Sequence, residues 1–295
     1  MKKYLFILLA LCSQSAVFAQ GGSLLDLLGE EEETEFTTNA FKSSRVINSQ
    51  SMEMLQVGTL DFRILHRFGA LNQGYKEFFG LDQASMRMGF DYGVLPNMSI
   101  GIGRSTSKKE LDGFVKYRIL WQSKGKRNMP LSLIWVSGMT YNGLPQPLSQ
   151  PDVEVTFSRR LAYYHQLIIG RKFSDRLTLQ LSPILVHRNI VDNILVPNDL
   201  FAVGFGGRCK LSQRLALVWD YSYLINRFPA NLQSNPLSIG FDIETGGHVF
   251  QLHFSNAIGM NERAYLTDSN DNWLKGDIRF GFNLSRVFQV KKNKI

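Results

Sequence analysis

The five histidines of this 295-residue chain come first, because imidazole can act as a general base, a metal ligand or the activator of a nucleophile near neutral pH. His165 sits among Leu161, Tyr163, Leu167 and Ile169 at every second position, which on a strand forms one apolar face. A serine–histidine hydrolase there needs a serine within hydrogen-bond reach and a third polar group to orient the ring. No serine lies two or four residues away on the same strand, so one would have to come from a neighbouring strand. His187 with Asp192 and His66 with Glu77 offer carboxylate–histidine pairs near loop ends, where chance meetings are common. His248 and His253 are five residues apart and so point to opposite faces, which disfavours a shared metal. The run Gly204-Phe205-Gly206-Gly207 precedes no helical pattern; it fits strand bending better than a phosphate loop. The expectation is a protein without catalytic residues, metal or cofactor.

Charged residues form a second constellation. Asp61, Arg63 and Arg67 alternate with Leu60, Phe62, Ile64 and Phe68; Arg87 and Asp91 alternate with Met86, Met88, Phe90 and Tyr92; Asp277 and Arg279 alternate with Ile278, Phe280 and Phe282. Alternation of this kind puts the charges on one face of each strand and the apolar side chains on the other. Matching depth along neighbouring strands pairs Arg63 with Asp91 and Arg67 with Asp277, leaving Arg87 and Arg279 as surplus positive charge. Such a network can act as a selectivity filter, or it can fill a narrow barrel and close it.

The elements that carry these residues repeat from Gly58 to the end. Segments 111–122, 215–224 and 237–244 alternate like the three above, and further ones start near Met98, Leu131, Leu161, Leu177, Leu200 and Val249. About twelve segments, each near the ~10 residues a tilted strand needs to cross a bilayer, predict an all-β, antiparallel up-and-down transmembrane barrel. The connections alternate in length. Short turns fall at Leu95-Pro96-Asn97, Ser123–Met129, Ser174-Asp175-Arg176, Ser212-Gln213-Arg214 and Thr245-Gly246-Gly247. Longer loops fall at 70–82, 143–158, 188–198, 226–236 and 259–273. The connection at 108–110 is too short for this rule and Ser123–Met129 is rather long for it. A soluble sandwich has no reason to alternate loop lengths, whereas an outer-membrane barrel with both termini in the periplasm does.

The N-terminus supports export. Lys2 and Lys3, the apolar run Tyr4–Leu11 and Val17-Phe18-Ala19 read as a signal peptide over residues 1–19. Leu11 before Cys12 disfavours lipidation. Cys209 is then the lone cysteine, a small apolar residue on a strand. Residues 20–57 read as an acidic periplasmic tail and linker: 20–35 hold six acids and no base, while 36–57 fit a short strand, a helical turn or a partial plug. From Phe36 onward 31 basic residues face 19 acidic ones, spread over many strands. Behind a signal peptide that excess points to lipopolysaccharide phosphates or anionic solutes, and away from nucleic acid.

Residues 38–54 (TNAFKSSRVINSQSMEM), Leu60–Gly69 (LDFRILHRFG), Phe78–Gly93 (FFGLDQASMRMGFDYG), Asn235–Ala257 (NPLSIGFDIETGGHVFQLHFSNA) and Trp273–Phe288 (WLKGDIRFGFNLSRVF) resemble a family of exported β-barrel proteins of Bacteroidetes, a domain of unknown function. The resemblance covers most of the mature chain and implies an outer-membrane barrel. It supplies no reaction, ligand or catalytic residue. The working expectation is a non-enzymatic barrel over 58–295 whose polar lumen passes small, including anionic, solutes. The runner-up is a closed barrel that anchors or binds envelope partners; a barrel hydrolase comes third.

Overall fold

An extended chain with two unlike faces sorts alternating residues, and from Thr59 onward almost every segment of this sequence takes that form. In the computed structural model, residues 33–144, 156–191, 196–226 and 233–291 are described; the expected signal segment and most of the acidic stretch lie outside them. A two-stranded sheet pairs β1 (Glu35–Phe36) with β6 (Ser123–Lys124). The other twelve strands are β2 (Thr59–Ala70), β3 (Ala84–Leu95), β4 (Met98–Ser105), β5 (Leu111–Leu120), β7 (Ser132–Tyr141), β8 (Leu161–Lys172), β9 (Leu177–Arg188), β10 (Asp199–Lys210), β11 (Leu215–Leu224), β12 (Leu237–Thr245), β13 (His248–Ser255) and β14 (Arg279–Gln289). Each pairs antiparallel with its neighbours, and β14 pairs with β2 from Gln289↔Thr59 to Arg279↔Ala70, closing a twelve-stranded barrel. Closure leaves no open barrel edge to solvent or lipid.

Connections at one rim are short, such as 96–97 and 246–247, and those at the other are longer, such as 189–198 and 256–278. Both β2 and β14 meet the short-turn rim at their terminal ends. Met88, Phe90, Ile102, Phe241 and Phe254 point outward and exposed, while Asp61, Arg63, Arg67, Arg87 and Asp91 are buried inside. Cys209 is free and shares the outward parity of Phe205 on β10.

Two segments fold into the barrel. The first is 39–57, where Arg45 bridges Gln50 in a small hairpin closed by Val46 N donating to the Ser49 carbonyl at 2.9 Å. Its residues Ala40, Phe41, Val46, Ile47, Met52 and Met54 are all buried. The barrel wall starts at Thr59; of the alternatives for 36–57, residues 40–54 form a plug, whose apolar side chains find burial inside the barrel. The second is the 256–278 connection, whose helix α1 (Glu262–Thr267) buries Glu262, Tyr265 and Leu266. Asn261 caps it, its side chain accepting from Ala264 N at 2.8 Å, which satisfies one of the free amides of the first turn.

The core is inside the barrel. Ile134, Val136, Tyr164, Ile168, Ile184, Val186, Leu200 and Ala202, inward apolar residues of β7 to β10, cluster with Phe41, Val46, Met52 and Met54 of the plug and with Tyr265 and Leu266 of α1. Stretches of these strands, such as 133–136, 167–169 and 183–186, are apolar on both faces and read as continuous apolar runs, whereas 177–182 alternates and turns Thr178, Gln180 and Ser182 inward.

Candidate functional site

Side chains of the polar half of the lumen are held from β2, β3, β5 and the plug together. Arg63 Nε donates to Asp61 at 2.8 Å and lies 3.4 Å from Asp91, so the expected Arg63–Asp91 pairing is present with Asp61 as a second acceptor. Ser43 and Ser44 of the plug complete the cluster, Ser43 accepting from Arg63 at 2.5 Å and Ser44 donating to Asp91 at 3.0 Å. Lys116 Nζ donates to the carbonyls of Ser44 (3.1 Å) and Glu53 (2.6 Å). An ammonium removed from water needs such acceptors.

Arg67 and Arg87 depart from expectation. Arg67 does not meet Asp277; it donates to Asn48 of the plug (2.7 Å), Asn283 (2.9 Å) and the His66 carbonyl (2.8 Å). Arg87 is not surplus charge. It forms a two-pronged pair with Asp112, Nε to Oδ1 at 2.8 Å and Nη2 to Oδ2 at 2.5 Å, fully buried on both sides. To reach β5 its side chain crosses β4 at Gly103, where a Cβ would lie 2.2 Å from Arg87 Nη2. Alternate glycines in Ile100-Gly101-Ile102-Gly103 were the sequence signal for that crossing. Asp277 and Arg279 sit at the long-loop rim instead of in the luminal network. Asp277 accepts from Asn72 at 2.6 Å and from Asn272 N at 3.0 Å, and Arg279 pairs with Asp271 at 2.6 Å. The loop curls back over the strand end, which depth matching along strands cannot foresee.

The plug is bonded to the wall all round. Asp220 accepts from Asn48 N (3.0 Å) and Ser49 N (2.8 Å), and Asn48 Nδ2 donates to Ser238 at 2.9 Å. Gln180 accepts from Met52 N at 2.9 Å and donates to the Gln50 carbonyl at 2.8 Å. Gln251 donates to the Val46 carbonyl at 2.5 Å. At the short-turn rim Trp121 stacks on Phe36 at 4.5 Å, lies beneath the Arg118 guanidinium at 3.9 Å and donates to the Thr37 carbonyl at 2.7 Å. Among these partners, Asp112, Lys116 and Asp220 were not placed in the network from sequence: Lys116 and Asp220 are joined to it by the plug, and Asp112 by the reach of Arg87 across β4.

The histidines do not assemble a reaction centre among the described residues. Ser137 of β7 is the register partner of His165, so a neighbouring strand does supply a serine, yet no hydrogen bond joins them. Leu185 flanks His165 on the other side, where an orienting polar group would be needed. His187 pairs with Asp199 at 2.6 Å; Asp192 lies outside the described residues. His66 stacks outward on Phe282 at 4.6 Å. His253 is buried inside while His248 keeps the opposite parity. No group of three metal-ligating residues occurs among the described residues.

A closed, internally plugged β-barrel with an apolar outer belt is a membrane protein of the strand-crossing class. The chain belongs to the family described as membrane bound beta barrel domain (DUF5777), whose model matches residues 41–288 and so includes the plug. No curated protein matches the sequence. Among solved structures it is similar to the NanC porin (9% identity, 77% of this chain and 98% of that one, TM-score 0.46). It is also similar to the KdgM porin (8%, 78% and 99%, 0.45) and to outer membrane phospholipase A from Escherichia coli (11%, 77% and 92%, 0.43).

Proposed function

We propose that the protein is a non-enzymatic outer-membrane barrel of a Gram-negative bacterium, in keeping with the Bacteroidetes resemblance. It works closed, anchoring itself and presenting its two rims to envelope partners. Residues 1–19 serve as the export signal, the termini face the periplasm, and lipid and lipopolysaccharide surround the outward belt. The observation that carries the closed state is the apolar half of the lumen. A water-filled passage would wet Ile134, Val136, Ile168, Ile184, Val186 and Leu200, all buried now. It would also strip Phe41, Val46, Met52 and Met54 from that wall, at roughly 1.5–3 kcal/mol each.

The polar half supports a second reading, a passive channel for small solutes, anionic ones among them, once residues 40–54 withdraw. Asp61, Arg63, Arg67, Arg87, Asp91 and Lys116 would then line the passage. Planar-bilayer recording separates the two. A Cβ on Gly170 would lie 3.0 Å from Met52 Cβ, close enough for a disulfide after a small shift. The closed reading expects no sustained conductance from the full chain, with or without a Met52→Cys/Gly170→Cys tether in a Cys209→Ser background. Sustained conductance that the oxidised tether abolishes would establish the channel and remove the closed barrel.

A further inference from the structure

At the long-loop rim a cavity of about 50 Å³ opens over α1, walled by Lys108, Glu110, Arg159, Arg160, Arg188 and Arg263. Among the described residues, the acids there are already matched. Arg263 grips Glu110 through Nε (2.8 Å) and Nη2, and Asp268 through Nη1 at 2.9 Å. Lys108 adds a 3.2 Å contact to Asp268. Arg160 donates through Nη1 to the carbonyls of Asn142 (3.4 Å) and Leu144; carbonyls satisfy the donor without cancelling its charge. Arg159, exposed in the turn Ser158–Arg160, has no ion-pair partner among the described residues. Two adjacent guanidiniums thus border a small cavity whose described carboxylates, Glu110 and Asp268, are spent on other cations. The planar donor fork of arginine matches phosphate oxygens, and a cavity of this size has room for several waters, against the roughly 10–15 Å³ that one requires.

We propose that this rim cavity binds a single phosphate group, free or carried on a lipid headgroup. The site lies at the long-loop mouth of the barrel, and none of its walls comes from residues 40–54. The test uses the full chain in phosphatidylcholine nanodiscs titrated calorimetrically with inorganic phosphate, and a second preparation containing phosphorylated lipid A. The expected result is saturable phosphate binding that Arg159→Gln/Arg160→Gln weakens by at least about tenfold, the loss of one charge-assisted contact of about 1.5 kcal/mol. Arg171→Gln at the opposite rim should leave it unchanged, and retained heat-modifiable mobility shows that each variant is folded. Loss of phosphate binding in the lipid A discs, restored when lipid A is left out, assigns the site to a headgroup. Persistence of binding there assigns it to the free ion. No phosphate binding in either preparation, or equal binding by the double variant, overturns the proposal.

Discussion

Arg45 and Glu262 meet inside the barrel at 2.9 Å although 217 residues separate them, and both side chains are almost completely buried. One belongs to the plug that enters from the short-turn rim, the other to the helix that descends from the long-loop rim. The two inserts therefore hold each other as well as the wall, through a charge pair that neither wall strand supplies.

Removing one member leaves the other charged and buried, which costs about 3–5 kcal/mol. Glu262→Gln and Arg45→Gln should each lower the temperature of the heat-modifiable mobility shift markedly. Arg45→Met with Glu262→Leu should recover most of the loss. A double variant as unstable as the sum of the singles would show that the pair does not act as a unit.

Gly138 faces the lumen beside Tyr164, and a Cβ there would lie 2.2 Å from Tyr164 Cζ. Tyr164 is fully buried, so Gly138→Ala should cost about 1–3 kcal/mol by overpacking. Tyr164→Leu should rescue it in a denaturant titration. Gly113→Ala, whose new Cβ would come no nearer than 3.6 Å to any neighbour, is the control and should change little.

Orientation is accessible by labelling. Leu274 is 97% exposed at the long-loop rim, and Thr245 lies at the short-turn rim. In a Cys209→Ser background, Leu274→Cys should react with an impermeant maleimide on intact cells and Thr245→Cys only after lysis. The reverse pattern would place the termini outside.

Burial opposes ionisation of Asp268, but the Arg263 guanidinium and Lys108 beside it outweigh that and hold its carboxyl below the usual aspartate value. A depressed folded-state pKa adds stability that is fully present above the unfolded value, near 3.9, and is lost as pH falls through the folded one. Wild type should thus lose stability relative to Asp268→Asn only below about pH 4. A difference between the two that stays constant from pH 6 to pH 3 would exclude ionised Asp268 as the source.

Residues such as Phe62, Arg63, Met88 and Asp91 declared their faces in the sequence, because a strand turns every second side chain the same way whatever its neighbours are. Strand number, loop alternation and the inward charges Asp61, Arg63, Arg67, Arg87 and Asp91 followed from that local rule. The tertiary structure alone decided the partners: Asp112 for Arg87 across Gly103, Asn48 for Arg67, Asp271 for Arg279. It also decided that Ala40–Met54 fills the barrel. That segment has neither a strand's period nor a helix's, and its apolar side chains acquire a burial site only once β7 to β10 have closed an apolar wall around them.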